Sequence, residues 1–243
     1  MSAACSVRDP QEESRMGGYV SNGRPAAMRT TGERVRERCG YLAAKRILDV
    51  LFSICVIVVG FVPSLLLCAV IRLESPGCPI YSQTRVGQIR PDGSIDTFTM
   101  YKFRSMVSGA DEHLDELLAH NEAQGAMFKI SDDPRVTKVG RFIRRHSIDE
   151  FPQFVNVLKG DMSLVGPRPP LPRELDGYTE RDLQRLAVRP GLTGPWQVSG
   201  RDTPCFDEMV ELDLDYIENC SFLGDIGYIA RTPGVMFGKR SGR

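Results

Sequence analysis

The feature that most constrains this chain is a run of 22 residues without a charged side chain, residues 50–71. An α-helix rises about 1.5 Å per residue, so this run would extend about 33 Å, close to the roughly 30 Å hydrocarbon core of a bilayer. Over the whole chain 42% of residues are apolar and 26% are charged, which excludes both a polytopic membrane protein and a disordered chain. We therefore predict one membrane-associated helix attached to a folded domain.

Two features of this run favour a re-entrant helix-break-helix over a helix that crosses the bilayer. Pro63 lies inside the run, three residues after Gly60, and proline removes a backbone donor and clashes with the preceding turn. Lysine and arginine near a membrane helix stay in the cytoplasm, and only a re-entrant path keeps two basic flanks there. A spanning helix stays open as an alternative, because many spanning helices contain proline. The flanking cations are Arg34, Arg36, Arg38, Lys45 and Arg46 before the run and Arg72, Arg85, Arg90, Lys102 and Arg104 after it.

Beyond the run, residue patterns predict an α-rich domain with a small β-hairpin, which is an α+β fold. Strands are expected at residues 80–83 and 97–103, on either side of a Pro91-Asp92-Gly93 turn. The predicted organisation is a disordered cytoplasmic tail at 1–40, a membrane anchor at 41–73 and a compact cytosolic domain at 74–243. Helices are expected at 111–124, 147–159, 180–186, 206–219 and 225–237, and loops at 167–172 and 188–204.

Charge and cysteine content bear on the partners of the protein and on its cellular compartment. Lysine plus arginine and aspartate plus glutamate number 31 each, so the net charge by itself does not identify partners, and no nucleic-acid partner is expected. The seven cysteines include no C-x-x-C pair and no grouping with histidine at zinc-ligand spacing. An odd, scattered set of cysteines is typical of a reducing compartment, so the folded domain is expected in the cytoplasm. No signal peptide is predicted in residues 1–40.

A basic segment leads directly into two adjacent acids, Asp149 and Glu150. Arginine forks and the free N–H groups of a helix start bind phosphate oxygens, so this arrangement indicates a phosphate site. A structural interpretation stays open, because Ser147 and Glu150 have the spacing of a capping box. On a helix in this register, Asp149 would point away from the apolar face, towards solvent or a cleft. The cations of residues 134–146 are Arg135, Lys138, Arg141, Arg144 and Arg145.

Arginines beside proline or glycine in loops are a second set of candidates. Arg168, Arg189 and Arg201 all lie in such turns, which would hold each guanidinium ready to meet a diphosphate. A solvent-facing turn residue is the open alternative for each of them. Other sites are poorly supported, since the sequence has no P-loop, dinucleotide fingerprint or nucleophile elbow.

Six motifs occur in a fixed order along the chain. They are KRILD at 45–49, YKFRSM at 101–106, SIDEFPQ at 147–153, NVLKGDMSLVGPRP at 156–169, RPGLTG at 189–194 and WQVSGR at 196–201. In this order they resemble the monotopic polyprenyl-phosphate phosphoglycosyl transferases, the bacterial sugar transferase family that starts exopolysaccharide and related glycan assembly. The resemblance covers about residues 41–238.

This resemblance implies a catalytic dyad of Asp149 and Glu150. Asp149 would attack the β-phosphorus of a UDP-sugar, forming a covalent sugar-phosphate intermediate and releasing UMP. Polyprenyl phosphate, undecaprenyl phosphate in bacteria, would then accept the sugar phosphate, and Glu150 would help to bind Mg²⁺. The positions implied to hold substrate phosphates are Lys102, Arg144, Arg168 and Arg201. The anchor would break at Pro63 and dip into one leaflet of the bacterial inner membrane, which keeps both termini cytoplasmic.

The residue chemistry suits this reaction independently. A carboxylate is a competent nucleophile towards phosphoryl groups, and Mg²⁺ and arginine neutralise the charge of a diphosphate. Asp149 must be ionised, and we expect the neighbouring arginines and the helix start to hold its pKa low.

The resemblance thus implies a phosphoglycosyl transferase for a UDP-sugar, with UDP-glucose or UDP-galactose as the first candidates. An alternative from a different class is a membrane-tethered binding or scaffold protein whose basic segment contacts anionic lipids. UMP release from UDP-sugars separates the two, because a scaffold would release none.

Overall fold

The structure is a computed structural model that describes residues 38–90, 93–110, 133–199 and 205–237. The helix expected at 111–124, nearly all of the expected tail and Arg201 lie outside these ranges. The described part is rich in helix and contains a two-stranded antiparallel sheet, which confirms the predicted α+β class with a hairpin.

The uncharged run forms the centre of helix α1, Cys39–Glu74. Among the described residues, α1 is the one helix that is long enough and apolar enough to cross a membrane. Only 6% of its most apolar stretch is buried. Large side chains such as Val58, Val59 and Leu66 are mostly exposed. Such a continuous exposed apolar surface is typical of contact with lipid.

Pro63 lies inside α1, and the helix continues through it without interruption. The predicted break of the helix at Pro63 is therefore wrong. Proline removes one backbone hydrogen bond and strains the preceding turn, but the turns on either side keep their own bonds.

Strands β1 (Ile80–Ile89) and β2 (Ile95–Phe103) form the expected hairpin, longer than predicted. Their register pairs Tyr81 with Lys102 and Arg85 with Phe98. Residues directly opposite each other in an antiparallel pair share a face, and this register brings the Lys102 side chain to the face that carries Tyr81.

A short helix that was not predicted, α2 (Lys138–Arg145), comes before the helix expected at 147–159. The expected helix is divided into a 3-10 turn, Ile148–Glu150, and helix α3, Gln153–Lys159. Ser147 adopts a left-handed backbone conformation with φ 52°, and its side chain does not cap the turn. The predicted capping box is therefore wrong, because in this conformation the Ser147 side chain makes no hydrogen bond to the turn that follows it.

The rest of the domain alternates short strands and helices. Strand β3 (Ser163–Val165) pairs in parallel with β4 (Gly191–Thr193), inside a segment predicted to be loop. Three-residue strands carry too little periodicity to be recognised in a sequence. The remaining helices are α4 (Glu180–Leu183), α5 (Pro195–Val198), α6 (Phe206–Asn219) and α7 (Phe222–Phe237), with 3-10 turns at Pro172–Gly177 and Gln184–Ala187. The last two helices confirm the predictions at 206–219 and 225–237.

Both ends of α1 are attached to the same domain. At its start, Arg38 Nη1 donates to the Cys220 carbonyl at 2.9 Å. At its end, Glu74 Oε1 accepts from the Lys138 backbone N–H at 2.8 Å, at the start of α2. Between these points, Arg46 donates to the Val157 carbonyl at 2.6 Å, near the end of α3. The helix is therefore a structural part of the domain and not a separate tether.

Candidate active site

Two adjacent acids on the 3-10 turn lie beside a lysine from the hairpin. Lys102 Nζ donates to Glu150 Oε1 at 3.1 Å, and both side chains are partly exposed. Asp149 is buried, with 8% of its surface exposed. Of the two orientations expected for Asp149, solvent or a cleft, this burial excludes solvent, and its carboxyl group lies next to Lys102.

Arg144, near the end of α2, is the second cation at this position. Its Nε donates to Ser105 Oγ at 2.8 Å, so a residue just after β2 orients the guanidinium. Burial lowers the pKa of Arg144, whereas the Asp149 and Asp133 carboxylates act in the opposite direction. Arg144 thus carries its charge in a partly buried position within electrostatic reach of Asp149.

The acid–base properties of Asp149 differ from the expectation. Burial is the largest influence and, with the Glu150 carboxylate, raises the pKa of Asp149 to about 6, although Lys102 and Arg144 act to lower it. The expected low pKa is wrong because removal of the carboxylate from water outweighs the attraction of the two cations. A buried carboxyl that titrates near neutral pH beside two cations is typical of a catalytic group.

Glu150 has a different environment. Its side chain is 38% exposed, and only its Oε1 atom has a partner among the described residues, Lys102. Within the described ranges, no group of three or more acidic, histidine or cysteine side chains could hold a metal ion alone. Glu150 Oε2 is therefore the carboxylate oxygen, within the adjacent acids Asp149 and Glu150, that an incoming cation could reach.

The predicted phosphate-binding residues do not all lie together. Lys102 and Arg144 lie beside Asp149, whereas Arg168 lies in a second group with Arg85 and Arg185. In that group Arg185 Nη2 donates to the Arg168 carbonyl at 3.5 Å. Arg201 lies outside the described residues.

Sequence reasoning missed Ser105 and Gly140, although Ser105 belongs to one of the quoted motifs. Gly140 brings α2 against the Ser105 carbonyl, where an added Cβ would lie 1.9 Å from that oxygen. No larger residue fits at that distance, so this glycine allows α2 to present Arg144 to Ser105. A glycine inside a short basic helix was the available signal.

Comparison with known proteins places this fold and site in a family. The family model described as bacterial sugar transferase matches residues 40–239. The described part of the match contains the membrane-type helix, the hairpin lysine and the adjacent acids. The chain belongs to the bacterial sugar transferase family.

Several curated relatives are similar over most of the chain. Galactosyl transferase CpsE of Streptococcus agalactiae is 48% identical over 81% of this chain and 42% of its own length. Undecaprenyl-phosphate galactose phosphotransferase of Salmonella typhimurium is 42% identical over 79% of this chain and 40% of its own length. The chain thus spans about two fifths of these two relatives. Exopolysaccharide production protein ExoY of Rhizobium meliloti is 36% identical over 82% of this chain and 88% of its own length.

Proposed function

We propose that this protein transfers a sugar 1-phosphate from a UDP-sugar to undecaprenyl phosphate, as a first membrane step of exopolysaccharide or glycan assembly. The observation that carries the proposal is the buried Asp149 carboxylate beside Lys102, Arg144 and Glu150. The name of the Salmonella relative, undecaprenyl-phosphate galactose phosphotransferase, supports the sugar-phosphate chemistry, and the names of both this relative and CpsE include galactose or a galactosyl group. UDP-galactose is therefore the first donor to test.

The reaction proceeds in two displacements. An Asp149 oxygen attacks the β-phosphorus of the donor, the bond from that phosphorus to the bridging oxygen breaks, and UMP leaves with the electron pair. A phosphate oxygen of the lipid then attacks the same phosphorus, which breaks the bond to Asp149 and restores the carboxylate. Each step conserves charge without a proton transfer. One soluble and one lipid substrate can thus use the same site in turn.

Lys102 and Arg144, together with Mg²⁺ when bound, would stabilise the charge on the transferred phosphoryl group. Lys102 and Arg144 would contact the oxygens of a phosphoryl group bound to Asp149. These contacts would lower the free energy of the transition state for phosphoryl transfer. Mg²⁺ usually binds one or two carboxylates together with substrate phosphates, and Glu150 Oε2 fits that role. When bound, Mg²⁺ would neutralise phosphate charge. Oxygens of the substrate phosphates would serve as the Mg²⁺ ligands that the protein does not provide.

Mass spectrometry of the purified protein with donor alone tests this mechanism. We expect Asp149 to gain the mass of a hexose phosphate, with UMP released in equal amount. Product formation at the normal rate without an adduct at Asp149 would refute the covalent route. A scaffold that only binds anionic lipid would release no UMP from any UDP-sugar.

The rate of adduct formation should depend on pH through Asp149. The reactive form is the carboxylate, and because the pKa of this group is raised to about 6, its ionised fraction grows as the pH rises through that value. The rate should therefore level off above about pH 7 and fall about tenfold per pH unit below about pH 5. Quenched-flow measurement of UMP release gives this profile, and a rate independent of pH from 4.5 to 7 would contradict the assignment.

We further propose that α1 enters only the cytoplasmic leaflet of the inner membrane and that both of its ends stay in the cytoplasm. The bonds from Arg38 and Glu74 to one domain support this path, because a spanning helix would separate its ends by a bilayer. A proline can bend a helix, so Pro63 would let the middle of α1 dip into the lipid. All six cysteines in the described part are free thiols, which fits a cytoplasmic domain.

Cysteine labelling tests the membrane path. Cys5 precedes α1 and Cys78 follows it, so variants that keep only one of these cysteines report on each side. In intact spheroplasts neither should react with an impermeant maleimide, and both should react after lysis. Labelling of Cys5 but not Cys78 before lysis would indicate a spanning helix instead.

A further inference from the structure

A glycine in the middle of α1 lies directly against the segment that carries the two acids. At Gly60 an added Cβ would overlap Cζ and Cε2 at the tip of the Phe151 ring. Phe151 follows Glu150 directly in the chain. Val59 and Phe61, the neighbours of Gly60, are 75% and 58% exposed, so other sides of the helix are open to lipid at this point. The missing side chain at Gly60 therefore lets the membrane helix approach the acids.

The Phe151 ring has aromatic neighbours on two sides. It stacks on Phe103, with ring centroids 6.3 Å apart and an interplanar angle of 11°. It meets Phe154 edge-on, with centroids 5.8 Å apart. Aromatic pairs in these arrangements are favourable, and closely packed side chains have little room to shift. A residue larger than glycine at position 60 would therefore displace the ring together with the backbone that carries it.

The ring stack and the ion pair of the acidic turn join the same two segments. Lys102 precedes Phe103 on β2. Lys102 Nζ lies 3.1 Å from Oε1 of Glu150, the residue before Phe151. Successive side chains of a strand point to opposite faces, so the stack lies on one face of β2 and the ion pair on the other. A shift of Phe151 against Phe103 would therefore also move the acids relative to Lys102.

Both neighbours of the acid pair pack into one apolar cluster. Ile148, before the acids, and Phe151, after them, contact a buried core that includes Ile71 of α1 and Phe103 of β2. A packed interior has low compressibility, so a displacement at one of its members is transmitted to the others. The position of the acids thus depends on α1 as well as on β2.

We propose that Gly60 is a positioning residue, which sets the approach of the membrane helix to the acidic turn and thereby holds the acids against Lys102. This assignment rests on the proposed function, since it concerns the reactivity of Asp149. A displacement of about 1 Å in an active site can lower a rate about a hundredfold. The contact lies within the uncharged run, so it also fixes the acids beside the membrane, where a lipid phosphate arrives.

Gly60→Ala in the full chain in nanodiscs is the main test, with Gly227→Ala on α7 as the matched control. Both glycines lie in helices, but an added Cβ at Gly227 meets no neighbouring atom within 4 Å among the described residues. Alanine favours helix over glycine, so neither change should unfold its helix. We expect UMP release to slow at least about tenfold in Gly60→Ala and to stay unchanged in the control.

The titration of Asp149 gives a readout that does not need turnover. Burial raises the pKa of Asp149 to about 6, and Lys102 acts to lower it. A turn that moves away from Lys102 should therefore titrate at a higher pH. NMR of protein with isotope-labelled aspartate, assigned with Asp149→Asn, measures this midpoint. Gly60→Ala should raise the midpoint, and Gly227→Ala should leave it in place.

A double variant shows whether the Phe151 ring carries the effect. Phe151→Leu removes the ring tip that faces position 60 and keeps an apolar side chain in the cluster. We expect Gly60→Ala to cost little further activity when it is added to Phe151→Leu, because the two changes act through one contact.

Either UMP release at the normal rate or an unshifted midpoint in Gly60→Ala would overturn the assignment. A loss of equal size with and without Phe151→Leu would also overturn it, since the effect would then not pass through the ring. The two proposals fail separately. A midpoint that shifts in Gly60→Ala, while the unaltered protein releases no UMP, sinks only the proposed reaction. An adduct at Asp149 that forms equally fast in Gly60→Ala sinks only the positioning role.

Discussion

Replacement of Asp149 by asparagine is expected to lower turnover by roughly 10⁴-fold or more, the range seen when a nucleophile is removed. Asparagine keeps the size of the side chain but has no charge with which to attack phosphorus. Because Asp149 is buried, the neutral amide should not lower the free energy of unfolding. UMP release with UDP-galactose and undecaprenyl phosphate measures the loss, and mass spectrometry should find no adduct.

Two comparisons show whether this loss is specific to the nucleophile. Asp207→Asn makes the same chemical change at an exposed position on α6 and should leave turnover unchanged. Glu150→Gln should reduce turnover but still allow a slow adduct at Asp149, because Glu150 is assigned to charge and metal binding. Turnover near the normal level in Asp149→Asn would show that another group attacks the donor.

Removal of Arg185 is expected to cost about 3–5 kcal/mol of the free energy of unfolding. The Arg185 and Asp213 side chains are 1% and 0% exposed, and Asp213 Oδ1 already has no hydrogen-bond partner in the described part of the chain. Arg185→Met would therefore leave Asp213 buried without its cation. Denaturant unfolding of the detergent-solubilised protein measures the change.

The chain contains a matched exposed ion pair as a control. Arg181 and Glu211 are 52% and 63% exposed, so Arg181→Ala should cost less than about 1 kcal/mol. A double variant, Arg185→Met with Asp213→Leu, should recover much of the lost stability, because it removes both buried charges. Equal costs for Arg181→Ala and Arg185→Met would contradict the importance of burial at this pair.

The features predicted correctly from the sequence are those that depend on neighbours in the chain. An uncharged run of this length has to form a helix, and the alternation in residues 97–103 specifies a strand of the hairpin. The turn at Gly93, whose φ is 90°, follows from its sequence in the same way. The periodic apolar residues of α6 and α7 also specified helices without reference to the rest of the chain.

The features predicted wrongly depend on contacts across the chain. Ser147 has the sequence of a helix cap, but it adopts a left-handed conformation before the 3-10 turn, and Asp149 on that turn lies in the interior. Strands β3 and β4 are too short to be detected alone and exist because they pair with each other. The interruption expected at Pro63 does not occur, although proline inside a helix predicts one.

The sequence by itself determined which groups this protein possesses: an apolar helix, a hairpin, two adjacent acids and a set of arginines. Only the tertiary structure decided which of these groups meet, since Lys102, Arg144 and Asp149 come from different segments. It also decided the acidity of Asp149, because burial depends on residues far away in the chain and here outweighs two nearby cations. Interactions between neighbours in the chain determine the helices and strands. Desolvation and charge pairing arise only when distant segments pack together.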